Sequence, residues 1–163
     1  MRVLVTTASK HGATNEIGAR IGSVIGERGH QVEVRCPSEV TEVARYDVVV
    51  LGSAIYAGHW QKEAKELVER EGSVLAHRPV WLFSSGPVGD PPQPEEGPED
   101  AEELRAAIGA LEHHIFAGKI DKKELSLPER AVVRALHVAE GDFRDLDEVD
   151  MWAATIADSI SSG

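Results

Sequence analysis

Three short runs of small, hydroxyl-bearing residues each follow an apolar run, and each has the makings of a grip for an anion or for the polar edge of a ring. The first, Ser9-Lys10-His11-Gly12-Ala13-Thr14, lies between Val3-Leu4-Val5 and a helical pattern. The leading N–H groups of a helix have no partner within it and sit at the positive end of its macrodipole, so a loop of small residues can fold round a phosphate there. Ser9 and Thr14 add hydroxyl donors. Taken alone, the same residues also describe a plain strand-to-helix turn with Thr14 as N-cap. The second run, Gly52-Ser53-Ala54-Ile55-Tyr56-Ala57-Gly58-His59-Trp60, reads as a loop after the apolar stretch Asp47–Leu51. The third, Ser84-Ser85-Gly86-Pro87-Val88-Gly89, follows Val80–Phe83. Three such runs after three strands favour a ligand site over chance punctuation.

The elements that must carry these runs alternate along the chain. Arg2–Thr6 is a strand, and Thr14–Arg28 is a helix with Ile17, Ile21, Val24 and Ile25 on one face, stopped at Gly29. Gly18, Gly22 and Gly26 form a second stripe that lets the helix backbone lie close to a neighbour. Gln31–Arg35 alternates polar with apolar as a sheet edge does, whereas Asp47–Leu51 and Val80–Phe83 read as buried strands. Lys62–Arg70 is a charged helix with Ala64, Leu67 and Val68 inward. Glu112–Ile120 reads as a fifth strand, and Val149, Trp152, Ala153, Ile156 and Ile160 mark the inner face of a closing helix. Buried strands alternating with helices, joined by right-handed crossovers, predict a doubly wound α/β sandwich with a five-stranded parallel sheet and helices on both faces. Ligands on such sheets bind at the carboxyl ends of the strands, where all three runs fall.

The 163 residues fit one domain spanning 1–163, since a chain of this size buries roughly 70% of its unfolded surface. No apolar stretch approaches the roughly 18 residues of a membrane span, and the first apolar segment does not read as a signal peptide, so the expected location is cytoplasmic. One cysteine, Cys36, excludes an intrachain disulfide, and a formal charge of −11 argues against nucleic acid as partner. No metal site is expected. His113 and His114 are neighbours in a strand and point to opposite faces, and the acids at Asp142–Asp150 are accounted for by a helix start with Asp145 as cap and Glu148 three residues on.

The loop Ser9–Thr14 resembles the phosphate loop of flavodoxins, with His11 standing where a second hydroxyl residue is usual. The middle run, small residues followed by aromatic, glycine, histidine and aromatic, resembles the branch of flavodoxin domains that includes the menaquinone-dependent protoporphyrinogen dehydrogenases. Ala117-Gly118-Lys119, Leu127-Pro128-Glu129-Arg130 and Gly141-Asp142-Phe143-Arg144-Asp145 resemble that branch as well. The resemblance implies a flavodoxin-like sheet in the order 2-1-3-4-5 and FMN held without a covalent bond. Its phosphate would sit among Ser9, Lys10, His11, Gly12, Ala13 and Thr14. Its ring would lie between Ser53, Ala54, Ile55, Tyr56, Gly58 and His59 on one side and Ser84, Ser85, Gly86, Pro87 and Val88 on the other. Tyr56 or Trp60 would be placed to stack on the ring.

One stretch departs from that branch. Between Pro87 and Glu103 five prolines are threaded with Asp90, Glu95, Glu96, Glu99, Asp100, Glu102 and Glu103, which predicts an exposed acidic loop over about 87–100 leading to a helix near Asp100–Gly109. The corresponding insertion in the porphyrinogen enzymes tends to be basic. An acidic lid repels an anionic membrane or a porphyrinogen's carboxylates, and suits a basic redox partner. The expected function is therefore that of an FMN-binding redox protein, an electron carrier or small flavin-dependent oxidoreductase working with a partner protein or a quinone. The alternatives are a menaquinone-dependent porphyrinogen dehydrogenase and a binder of another phosphorylated ligand such as a deazaflavin. No catalytic acid or base is named. The stretch Leu127–Val138, with apolar residues between Arg130 and Arg134, is expected to pack rather than touch a membrane.

Overall fold

The computed structural model describes residues 1–9, 12–56, 59–86, 99–116, 119–120, 141–142 and 145–162. Its centre is a sheet of five parallel strands: β1 (Arg2–Ala8), β2 (Gln31–Arg35), β3 (Val48–Tyr56), β5 (Val80–Ser85) and β6 (Glu112–Phe116), in the order β2-β1-β3-β5-β6. A two-residue strand, β4 (His59–Trp60), pairs antiparallel with the end of β3 and stands outside that path. With β4 set aside, the parallel strands lie in the expected order 2-1-3-4-5. A second small sheet pairs β7 (Lys119–Ile120) with β8 (Gly141–Asp142). The single strand expected over Glu112–Ile120 is thus two strands belonging to two sheets. The stretch Leu127–Val138 lies outside the described residues.

Alternation along the central strands sends two apolar sets to two faces. Leu4, Val49, Leu51, Val80 and Leu82 pack with Ala64, Leu67 and Val68 of α2 (Lys62–Leu75) and with Ala101 and Ile108 of α3 (Glu99–Ile108). Val3, Val5, Val48, Val50, Trp81 and Phe83 pack with Ile17, Ile21 and Ile25 of α1 (Ala13–Glu27) and with Val149, Trp152, Ala153, Ile156 and Ile160 of the last helix, α4 (Leu146–Ser162). Helices on both faces are what continuous apolar strands require. On the second face Arg20 reaches across from α1 and grips Asp150 of α4 with both arms of its guanidinium, at 2.6 and 2.8 Å. The N–H of Glu148 donates to Asp145 Oδ1 at 3.1 Å, so Asp145 caps α4 as its position predicts.

The glycine stripe of α1 works at two of its three positions. A Cβ at Gly18 would overlap Thr7 Cγ2, and one at Gly22 would come within 2.8 Å of Val34 Cγ2, so the helix backbone rests on β1 and β2. Gly26 has no neighbour closer than Val32 at 4.0 Å. Gly52 has a different role. It lies within β3, and a Cβ there would overlap the tip of the Phe83 ring on the adjacent strand, 2.1 Å from its Cζ. A glycine inside a strand marks such a close approach as readily as it marks a turn. For that reason β3 continues through Ser53, Ala54, Ile55 and Tyr56, where the residue types had suggested a loop.

Candidate functional site

The carboxyl ends of β1, β3 and β5 lie side by side, with Ala8 opposite Ser53, Ser53 opposite Ser84, and Ala54 opposite Ser85. After β1 the chain turns through Ser9 into α1. Gly12 caps the helix in the left-handed region (φ 87°), its N–H donates to Ser9 Oγ at 2.8 Å, and nothing lies within 4 Å of where its Cβ would be. The cap is therefore Gly12 rather than Thr14. Ser9 accepts in that bond, and among the described residues nothing accepts its own hydroxyl proton. Thr14 is in the first turn and 2% exposed. The first intrahelical bond runs from the Glu16 N–H to the Gly12 carbonyl at 3.1 Å, and the N–H groups ahead of it form the positive end of α1. Thr7 donates to Asn15 Oδ1 at 2.8 Å and ties the strand end to that turn. Lys10 and His11 lie outside the described residues.

The second and third runs are more structural than their residue types suggest. Ser53 is fully buried; its hydroxyl donates to the Ala54 carbonyl at 2.9 Å and accepts the Gln61 N–H at 2.8 Å. Ser84 is fully buried too, facing α2 and α3, and its Oγ accepts the Trp60 indole N–H at 2.7 Å. Trp60 packs in the core beside Ala64 and Leu67 rather than standing free to stack on a ligand. Ser85 faces the other side of the sheet, and the Gly86 N–H donates to the Phe116 carbonyl at 3.0 Å, so that donor is taken. The two runs touch at Ile55, whose Cβ would lie 2.9 Å from a Cβ built on Gly86. What remains at this rim from the expected set is Ser9, Gly12, Ala13 and Thr14 on one side, with Ala54, Ile55, His59, Ser85 and Gly86 on the other. Gly58, Pro87, Val88 and the ring of Tyr56 lie outside the described residues.

Two clusters were not visible in the sequence. Asp100, at the start of α3, accepts from Lys65 Nζ at 2.6 Å, His59 Nδ1 at 3.2 Å and the Trp60 N–H at 3.2 Å. It clamps the start of α3 to β4 and to α2, and is a structural carboxylate rather than a free surface charge. Partial burial pushes its carboxyl up, but the bonds from Lys65, His59 and the Trp60 N–H outweigh burial and leave it below the usual carboxylate range. The stability that this clamp supplies is then fully present above the ordinary aspartate value of about 3.9 and is lost as pH falls through the lower folded value. Asp100→Asn should lower stability to urea by about 2 kcal/mol at neutral pH. The gap to the unmodified protein should narrow as pH falls below about 3.9 and through the lower folded value. A gap that persists in acid would mean that packing, not charge, holds the clamp.

The other cluster links Trp60 and Ser84 to His113 and Glu102. His113 Nε2 lies 2.7 Å from Ser84 Oγ, and its Nδ1 lies 3.2 Å from Glu102 Oε1. His114, on the opposite face as strand alternation requires, meets Glu148 at 2.8 Å and the Trp152 ring at 5.3 Å. Among the described residues no group of three or more His, Cys, Asp or Glu is placed to hold a metal ion, and no helix is long and apolar enough to cross a membrane.

Residues 4–147 match the family model described as a flavodoxin domain. The chain belongs to the flavodoxin-domain family. This flavodoxin domain is 28% identical over 95 residues to the protoporphyrinogen IX dehydrogenase [quinone] of Escherichia coli strain K12, an overlap of 57% of this chain and 52% of that protein. It thus spans about half the length of the curated relatives it matches. Among solved structures it is similar to a flavodoxin from the domain Archaea (TM-score 0.66, 17% identity, 99% of each chain). It is similar also to the oxidised Flavodoxin 2 of Bacillus cereus (TM-score 0.65, 19% identity, 98% of this chain and 99% of that one). At such identities the structural likeness establishes the fold, and the flavodoxin-domain assignment supplies the family.

Proposed function

We propose that this flavodoxin domain binds FMN without a covalent bond, with the phosphate at the start of α1 and the ring between the ends of β3 and β5, and that it passes electrons. The observation that carries the reading is the first loop: a left-handed glycine cap, an open space beside it, a serine hydroxyl with a proton to give, and the positive end of a fifteen-residue helix in one place. Ser9, Lys10, His11, Gly12, Ala13 and Thr14 would hold the phosphate. Ala54, Ile55, Tyr56, Gly58, His59, Ser85, Gly86, Pro87 and Val88 would border the ring. When bound, the flavin supplies the redox chemistry itself. The chain's own task is to grip the anion, to offer an apolar contact at Ile55 and Gly86, and to hold both walls in register. Ser53 and Ser84 serve the last purpose through the sheet.

The acidic stretch Pro87–Glu103 contains no lysine or arginine, and it favours a basic redox protein, in the cytoplasm, as the partner. The 28% identity to a quinone-dependent protoporphyrinogen dehydrogenase supports a second reading, oxidation of a porphyrinogen with a quinone as acceptor. Reconstitution with FMN, followed by calorimetry and absorbance, tests the common part. One-to-one binding with quenched flavin fluorescence is expected, and no binding below the millimolar range would refute it. Preferential binding of a deazaflavin would redirect the cofactor assignment. Reduction of a basic cytochrome, run beside protoporphyrinogen oxidation with a menaquinone analogue, separates the two readings. Charge reversal at Glu95, Glu96 and Glu103 should slow the first reaction and leave the second unchanged or faster, over a range of about 8 Å set by screening. Asp100 is unsuitable for that experiment because it holds the clamp.

A further inference from the structure

Trp60, Ser84, His113 and Glu102 come from β4, β5, β6 and α3, and their side chains form one continuous row of hydrogen bonds: 2.7 Å from indole to hydroxyl, 2.7 Å from hydroxyl to imidazole, and 3.2 Å from imidazole to carboxylate. Serine, histidine and glutamate in this sequence have the order of a hydrolytic relay. That use is closed, because Ser84 is fully buried and its oxygen already accepts the indole N–H, so no substrate carbonyl can reach it. The row instead joins the two walls of the proposed ring site. Trp60 follows the β3–β4 turn and pairs with Ile55; Ser84 immediately precedes Ser85 and Gly86; Ile55 and Gly86 abut.

The donor inventory fixes the protons. An indole N–H can only donate, so Ser84 Oγ accepts it. Glu102 can only accept, which places the neutral ring's proton on Nδ1 and leaves Nε2 to accept the Ser84 proton. Every group is satisfied while the imidazole is neutral. If His113 takes up a second proton, Nε2 becomes a donor; the two lone pairs of Ser84 Oγ can accept both N–H groups, but the Ser84 proton loses its acceptor among the described residues, and an unmet buried donor is costly.

We infer that His113 is a positioning residue: neutral, it latches the end of β3 to the end of β5 through Ser84 and Trp60, and protonated, it releases them. Its side chain is 3% exposed. Burial, the dominant influence, pushes its pKa below the ordinary histidine value; Glu102 opposes this, while Arg105 of α3 and His114 of the same strand reinforce it. On the far side of the row the Trp60 backbone N–H meets Asp100 of the Lys65–Asp100–His59 cluster. The latch is therefore closed at neutral pH. Its depressed pKa means that the unfolded chain binds more protons, so the associated stability is lost as pH falls from about 6.5 toward the folded value and changes no further below it.

The consequence for FMN rests on the proposed function, but the latch itself is read without flavin. In nitrogen-15-labelled, flavin-free protein, the Trp60 indole N–H resonance, assigned with Trp60→Phe, and the amides of Ile55, Ser85 and Gly86 should move together between pH 8 and 5. They should share a midpoint with the His113 ring protons. In His113→Gln, which offers a side-chain acceptor near the Nε2 position without titrating, these shifts should vanish. Ser84→Ala should uncouple the indole and the loop amides while His113 still titrates. The FMN dissociation constant should rise roughly fivefold on acidification through that midpoint, the worth of about one hydrogen bond, and should be flat in His113→Gln. Loop amides that stay still while His113 titrates, or that move equally in His113→Gln, would overturn the latch. An absence of FMN binding at any pH would defeat the cofactor assignment, and the amide titration would still decide the role of His113.

Discussion

Gly12→Val should raise the FMN dissociation constant roughly tenfold to a hundredfold and change that for riboflavin by less than about twofold. Open space surrounds the Gly12 Cβ position, so the effect does not arise from a clash. It arises from the backbone: φ is 87°, and a β-branched residue held there costs about 1–3 kcal/mol or moves out of the left-handed region. Either response disturbs the bond from the Gly12 N–H to Ser9 and the direction of the first N–H groups of α1, which only a phosphorylated flavin would use. Thr14→Ala, removing one hydroxyl, should cost about 1 kcal/mol in FMN affinity. Calorimetry with both flavins, on protein shown to be folded by circular dichroism, provides the comparison. Equal losses for FMN and riboflavin would place the phosphate elsewhere.

Phe83→Ala should destabilise the protein by about 3–5 kcal/mol, enough to consume much of the stability of an ordinary domain. The ring is fully buried, meets Phe116 and Trp152 edge-on at 5.7 and 5.9 Å, and covers Gly52 on the neighbouring strand. Because that contact is shared, the two positions should be strongly coupled. Gly52→Ala alone should cost about 1–3 kcal/mol, since its methyl group displaces the ring. Combined with Phe83→Leu, it should cost measurably less than the two single changes added together. Urea denaturation of the four proteins gives the coupling. Strict additivity would show that Gly52 is needed for its backbone and not for the ring.

Which strands are buried and which lies at an edge was legible because Val3-Leu4-Val5, Asp47–Leu51 and Val80–Phe83 carry continuous apolar runs, whereas Gln31–Arg35 alternates; the order of the strands came from the resemblance to flavodoxins. The cap at Asp145 and the opposed directions of His113 and His114 were legible for the same kind of reason, since each follows from a local period. The end of β3 was misread as a loop because Gly52 looks like punctuation, and only the position of Phe83 on another strand shows why the glycine is there. Ser53, Ser84 and Asp100 looked like free polar groups. Their partners are Gln61, Trp60, His113 and Lys65, and apart from Gln61 and Ser53 they lie two dozen residues or more away along the chain. Hydroxyl and carboxyl types announce chemistry, but which of them are already satisfied depends on long-range packing that no periodicity encodes.

The bare stripe on α1 has a bearing on how the protein reaches its native state. Each glycine in a helix interior costs about 1 kcal/mol relative to alanine, so the segment holding Gly18, Gly22 and Gly26 is a poor helix by itself. It becomes helical by lying on Thr7 and Val34, which belong to β1 and to the strand that follows the helix in the chain. Helix and strands must therefore be acquired together, as one cooperative βαβ unit. The positive end at Gly12 comes into being with that event and not before it, so a nascent chain lacks the proposed phosphate grip until β2 has joined β1.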